Sequence, residues 1–131
     1  MGDVQFSIVD ATSPIARWAM GEYLSELSER FPEGFDRESA IDEAATNLNP
    51  PHGFFAVAGP VQSPSGCGGV HFLDSDSGEV KRMWVAPESR GQGLATSLLA
   101  FLEGEILQSG RTVALLDTNR VLTNAVALYE R

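Results

Sequence analysis

The sequence contains one cysteine, Cys67, and two histidines, His52 and His71, in 131 residues. An internal disulfide is excluded, a zinc site built on Cys and His lacks ligands, and no metal is expected. Basic residues are also scarce. Nine Lys and Arg stand against eighteen Asp and Glu, a net charge of −9 that opposes non-specific attraction to nucleic acid and to anionic lipid. Neither partner is expected. No apolar run approaches the roughly 18–20 residues of a bilayer-spanning helix. The N-terminal Met1-Gly2-Asp3-Val4-Gln5-Phe6 has no basic patch ahead of an apolar core, so no secretory signal is read and the cytoplasm is the default compartment. Internal repeats, low-complexity tracts and linkers are absent as well. With 43% hydrophobic residues, one domain over residues 1–131 is expected.

The pattern that remains alternates strands with helices. Val4 to Val9 alternates apolar and polar residues, as a half-buried strand does. Ser13-Pro14 supplies an N-cap with proline at the first helical position, and Ile15, Trp18, Ala19, Tyr23, Leu24 and Leu27 recur at helical spacing. A second, shorter helix is read over Ser39 to Leu48. Strands follow at Phe54–Ala58, Cys67–Leu73 and Glu79–Val85, the last two a hairpin around Asp74 to Gly78. A long helix from about Gly93 to Gln108 carries Leu94, Leu98, Leu99, Leu102 and Ile106 on one face and closes at Ser109-Gly110. Thr112–Leu116 reads as a strand and Thr123–Arg131 as the start of a helix. The order β-α-α-β-β-β-α-β-α defines a mixed α/β (α+β) layered fold.

The stretch with chemical content is Val85-Ala86-Pro87-Glu88-Ser89-Arg90-Gly91-Gln92-Gly93-Leu94-Ala95, between a strand and a helix start. Its glycines let backbone N–H groups turn toward one point, and the helix start adds free donors and a positive dipole end. Spacing alone fits an anion cradle or ordinary turn glycines equally well. A P-loop is excluded, because Leu94 rather than Lys follows Gly93. A dinucleotide loop ranks second: Gly91, Gly93 and Asp117 comply, but the third position is Thr96 and Pro87–Arg90 hold the glycines away from the strand.

Arg90-Gly91-Gln92-Gly93-Leu94-Ala95 resembles the (Gln/Arg)-x-x-Gly-x-(Gly/Ala) signature of the GNAT acyl-CoA N-acyltransferases, preceded by a Val-x-Pro that often ends their fourth strand. Leu115-Leu116-Asp117-Thr118 resembles their fifth strand, and Asn124-x-x-Ala127-Leu128-Tyr129 resembles their Asn-x-x-Ala-x-x-Tyr helix in residue types, with one residue fewer before the tyrosine. The likeness is specific over residues 79–131, and only the order of elements agrees before that. It implies a mostly antiparallel sheet flanked by helices, with acetyl-CoA as co-substrate lying between the fourth and fifth strands. By the same resemblance Arg90, Gly91, Gln92, Gly93, Leu94 and Ala95 hold the pyrophosphate, Met83, Trp84 and Val85 pair with the pantetheine arm, and Asn124 contacts that arm.

Acyl transfer to an amine needs proton management. An alkylammonium with pKa near 10.4 must lose a proton before attacking a thioester, and the departing thiolate is helped by an acid. The resemblance implies Tyr129 as that acid and Glu79, which opens the fourth strand, as a base acting through water. An oxyanion donor is expected among the backbone N–H groups near Trp84 or Val85. Cys67 reads as a buried apolar residue, and His71 as a half-exposed strand residue.

The first two helices and their loop carry Glu26, Glu29, Glu33, Asp36, Glu38, Asp42 and Glu43 against Arg17, Arg30 and Arg37. A cationic amine acceptor would be drawn to such a region. Members of the family usually continue past the tyrosine with two more strands, whereas this sequence stops at Tyr129-Glu130-Arg131. A domain without its C-terminal strands is therefore expected, with the fifth strand exposed as an edge and covered in a homodimer. These features together point to an N-acetyltransferase acting on the primary amine of a small molecule or protein. A module that binds acyl-CoA without turnover is the alternative, and a dinucleotide-binding domain comes third.

Overall fold

A computed structural model describes residues 5–30, 41–42, 46–60 and 62–116. Five strands form one sheet in the order β1-β2-β3-β4-β5: β1 (Phe6–Val9), β2 (Gly53–Ala58), β3 (Gly66–Phe72), β4 (Ser77–Val85) and β5 (Val113–Leu116). The first three pairings are antiparallel, and β4–β5 is parallel. Among the described residues, α1 (Pro14–Arg30) and α2 (Leu94–Gln108) cover the two faces of the sheet. Of the second helix expected over Ser39 to Leu48, Ile41, Asp42, Thr46 and Asn47 are helical. Leu48 is in a turn; the remaining residues of that helix, and the helix expected from Thr123, lie outside the described residues.

Alternation along the strands divides the core between the two faces. Phe55 and Val57 of β2, Cys67 of β3 and Trp84 of β4 pack against Ala16, Ala19, Met20, Tyr23 and Leu24 of α1. Phe54, Ala56, Val70, Val80 and Met83 point the other way, onto Leu98, Leu99, Leu102 and Ile106 of α2. A strand buried on both faces reads as a continuous apolar run, and β2 is buried along its whole length. Each fully buried aliphatic side chain contributes roughly 1.5–3 kcal/mol. Truncating Leu102, which has no exposure, to alanine would cost about 2–5 kcal/mol.

The helix ends follow the chemistry of their caps. Ser13 Oγ accepts the N–H of Ala16 at 3.3 Å, and Pro14 occupies the first helical position of α1. At the end of α2, Gly110 is left-handed with φ +93°, and the N–H groups of Gly110 and Arg111 return to the carbonyls of Leu107 and Ile106. That is the paired closure of a Schellman motif. In the hairpin, Asp74 Oδ1 accepts the N–H groups of Asp76 and Ser77, both at 2.8 Å, and the Ser77 hydroxyl at 3.0 Å. This cap tightens the turn, so β4 begins at Ser77 rather than at Glu79. Trp18 also departs from the expected apolar face. It is 44% exposed and meets Trp84 only at the edge, ring to ring at 6.0 Å and 85°.

Candidate active site

The candidate site lies at the C-terminal half of β4. Pairing with β5 is described from Ser77–Val113 to Val80–Leu116, and Leu116 is the last described residue of that strand. An irregularity in the β3–β4 register falls just past the last described pair: Cys67 faces Trp84 and Gly69 faces Lys81, leaving one extra residue on β4. Arg82 takes up the excess with φ +57°, a left-handed conformation unusual outside glycine. Its Nε is buried with no hydrogen-bond partner among the described residues.

Beyond the bulge the backbone returns to regular pairing. The N–H of Ala86 donates to Ser65 O at 2.7 Å, which fixes the phase of the ladder and turns the N–H and C=O of Val85 away from β3. The Val85 carbonyl accepts Arg90 Nε at 2.9 Å. Met83 and Trp84 point their side chains to opposite layers, Met83 toward α2 and Trp84 toward α1.

A 3₁₀ turn over Pro87–Ser89 leads to the glycines, and Arg90 N–H closes it by donating to Pro87 O at 3.3 Å. Gly91 and Gly93 both have positive φ, +79° and +82°, and a Cβ at either would meet nothing within 4 Å. Gly93 caps α2 without any side-chain hydrogen bond. Among the described residues no acceptor takes the N–H groups from Gly91 to Thr96. The result is a run of backbone donors without an acceptor among the described residues, at a helix N-terminus that follows β4. Its donor set fits an anionic diphosphate, and its open glycine faces leave room for one.

On the α1 face of the sheet, Glu79 lies opposite His71, and both are half-buried. Glu79 is therefore in the same layer as Trp84, on the side where an acceptor would approach. Asn124 and Tyr129 lie outside the described residues. Cys67 is fully buried, donates to Arg82 O at 3.4 Å, and has its thiol pushed well above the ordinary cysteine range by burial.

Sequence reasoning did not single out Glu26. It is one of several acidic residues near the first helix, yet its carboxylate accepts Trp84 Nε1 at 2.9 Å and Arg90 Nη2 at 2.7 Å on each oxygen. The partners are 58 and 64 residues away, and no local pattern signals them. Arg82 left a clue in the sequence: Lys81-Arg82 is a pair of adjacent charges in a strand otherwise apolar at alternate positions.

Residues 19–131 match the model of the GNAT acetyltransferase family. An IAA acetyltransferase of Azospirillum brasilense is 30% identical over 115 residues, covering 86% of this chain and 74% of that relative. An uncharacterized N-acetyltransferase of Schizosaccharomyces pombe is 34% identical over 114 residues, 83% of this chain and 68% of that one. Among solved structures, a GNAT family acetyltransferase from Elizabethkingia anophelis with acetyl-CoA bound superposes with TM-score 0.73 at 18% identity, over 99% of this chain and 74% of that one. An acetyltransferase of the same family from Staphylococcus aureus MU50 gives TM-score 0.75 at 18% identity, over 96% and 82%. The chain belongs to the GNAT acetyltransferase family, and acetyl-CoA is the acyl donor of that family. The expected mixed, mostly antiparallel sheet flanked by helices is the observed one. No helix among the described residues is long and apolar enough to cross a membrane.

Proposed function

We propose that this protein transfers the acetyl group of acetyl-CoA directly to the primary amine of a small molecule or a protein. One observation carries the reading: the N–H groups from Gly91 to Thr96 have no acceptor among the described residues and lie at the N-terminus of α2, just after β4. In this reading Gly91, Gln92, Gly93, Leu94 and Ala95 receive the pyrophosphate through backbone N–H groups, and the dipole of α2 adds to the attraction. Arg90 contributes by position, since its own N–H already closes the 3₁₀ turn. Met83, Trp84 and Val85 offer the strand edge to the pantetheine arm, and Asn124 contacts the same arm.

Glu79 takes the proton of the ammonium through water, and the neutral nitrogen attacks the thioester carbonyl. A backbone N–H of β4 meets the oxyanion; as the intermediate collapses, the nitrogen gives its second proton to solvent, the C–S bond breaks, and Tyr129 protonates the departing thiolate sulfur. The half-buried position of Glu79 on the α1 face supports its role. The acceptor is a cation before it reacts, and the acidic residues around α1 favour its approach. That excess is locally offset, as where Arg17 lies 3.8 Å from Asp42. The reaction belongs in the cytoplasm, on one domain spanning residues 1–131. The protein works as a homodimer covering the outer face of β5, where Val113 and Leu115 are 43% and 39% exposed.

The test is thiol release from acetyl-CoA, followed with a chromogenic disulfide across a panel of amines. The one cysteine of the chain is buried, so the background is low. Release that depends on the amine supports the reading. Tight CoA binding with no amine-dependent release points instead to a module without turnover, and binding of NAD but not CoA to a dinucleotide site.

A further inference from the structure

Glu26 lies on α1, in the layer where the acceptor approaches, whereas Arg90 opens the loop on the cofactor side. The two meet as an ion pair at 2.7 Å, with side-chain exposures of 23% and 42%. Exposed ion pairs are usually worth little, because two long side chains must be held still for a screened attraction. This one differs in how its members are held. The indole N–H of Trp84, a residue only 6% exposed in the α1 core, fixes Glu26 Oε2, and the Val85 carbonyl fixes Arg90 Nε. Helix, strand end and loop are thus joined through one carboxylate and one guanidinium.

We propose that Glu26 is a positioning residue for acetyl-CoA binding, acting through Arg90 to hold the Gly91–Ala95 loop in register with the end of β4. The inference rests on the reading of that loop as the pyrophosphate site. The glycines have positive φ and open space around them, so their own packing does little to fix the direction of their N–H groups. A loop ordered only when ligand arrives pays for its ordering out of binding energy, and the strut removes that cost beforehand. Electrostatics alone makes the opposite prediction, because a carboxylate near a diphosphate site repels the ligand and its removal should tighten binding. The sign of the effect therefore separates a strut from a mere neighbouring charge.

The experiment is calorimetric titration of the full chain with CoA, for wild type, Glu26→Gln, Arg90→Met and the double variant, together with acetyl-CoA kinetics. Glu26→Gln is expected to weaken CoA binding about tenfold, equivalent to 1.4 kcal/mol. KM for acetyl-CoA should rise in step, while kcat at saturation falls much less. The double variant should be no weaker than the weaker single variant, since both remove one strut. Should Glu26→Gln fail to fold, Arg90→Lys carries the test: it keeps the charge, loses the Nε bond to Val85, and should also bind about tenfold more weakly. Wild-type binding with unchanged or tighter affinity in the folded variant would overturn this proposal alone. Absence of CoA binding by the wild type would overturn the loop reading and this proposal with it.

Discussion

Val80 and Met83 stand an odd number of residues apart on β4, yet both pack against α2. In a regular strand they would face opposite layers. The extra residue at Arg82 resets the alternation, and as a result Glu79 and Trp84 share the α1 face. The bulge lies just past the last described β4–β5 pair. One local irregularity thus returns the strand end to correct packing on both sides.

The left-handed backbone of Arg82 makes a prediction about stability. A non-glycine residue there costs about 1–2 kcal/mol, and its buried Nε gains no hydrogen bond in return. Arg82→Gly should relieve the strain, and the added freedom of the unfolded chain offsets part of the gain. The net expected from urea denaturation is unchanged to about 1 kcal/mol more stable. Arg82→Val, β-branched in a left-handed position, should be clearly less stable than wild type.

Gly93 is where the cofactor reading meets a simple steric test. A valine there would place methyl groups in the open space over the free N–H groups, as well as straining a φ of +82°. Gly93→Val is expected to lower the melting temperature modestly, as a surface backbone strain of about 1–2 kcal/mol does. Its CoA affinity should fall well over tenfold. Unchanged affinity in the folded variant would remove the pyrophosphate assignment of the loop.

Glu79→Gln should lower kcat/KM by about 10- to 10⁴-fold at neutral pH, the usual range for a general base. The loss should shrink as pH rises toward the amine pKa near 10.4, where the free amine no longer needs a base. Tyr129→Phe should lower the rate without that recovery. A Glu79→Gln profile parallel to wild type at all pH values would assign the proton to another group or to bulk water.

Much of this architecture was legible in the sequence, for reasons that differ along the chain. The apolar faces of α2 and the all-apolar β2 announce themselves because burial selects residues at fixed periods. Likewise the Ser13-Pro14 cap and the Gly110 closure depend only on neighbours. The turn at Asp74 was placed correctly, but β4 starts earlier than its apolar residues suggested, because Ser77 is recruited by the Asp74 carboxylate. The bulge was missed because Lys81-Arg82 looks like two surface cations until register is known. Glu26 was missed because its meaning is entirely tertiary: α1, β4 and the loop must assemble before the carboxylate has partners.

Asp74 ties the hairpin to pH. Its carboxyl is held below the ordinary aspartate range, first by the Asp76 N–H, then by the Ser77 hydroxyl, with Ser77 N–H and Arg111 adding to the effect. A depressed folded pKa gives stability that is fully present above the unfolded aspartate value, near 3.9, and lost as pH falls through the folded one. Acid unfolding followed by circular dichroism should therefore begin at higher pH in Asp74→Ala than in wild type. Equal acid midpoints would mean that the cap contributes nothing to the hairpin.

Cys67 predicts the opposite end of the pH scale. Burial raises its thiol well above the ordinary range, so the folded protein keeps it protonated, whereas the unfolded chain ionises it near pH 8.5. Above that pH the unfolded state binds fewer protons than the folded state, and stability must fall as pH rises. The slope from this one group approaches about 1.4 kcal/mol per pH unit. Other groups titrate at alkaline pH as well, so the comparison that isolates the thiol is with Cys67→Ala. That variant should start less stable, because it leaves a small cavity between β3 and α1, but its unfolding free energy should decline less between pH 8 and 10. The same burial should make Cys67 react with iodoacetamide only as fast as the protein opens, since the thiolate is the nucleophile. Rapid alkylation under native conditions, or parallel pH profiles for wild type and Cys67→Ala, would show that the thiol is accessible to solvent and not held in the core.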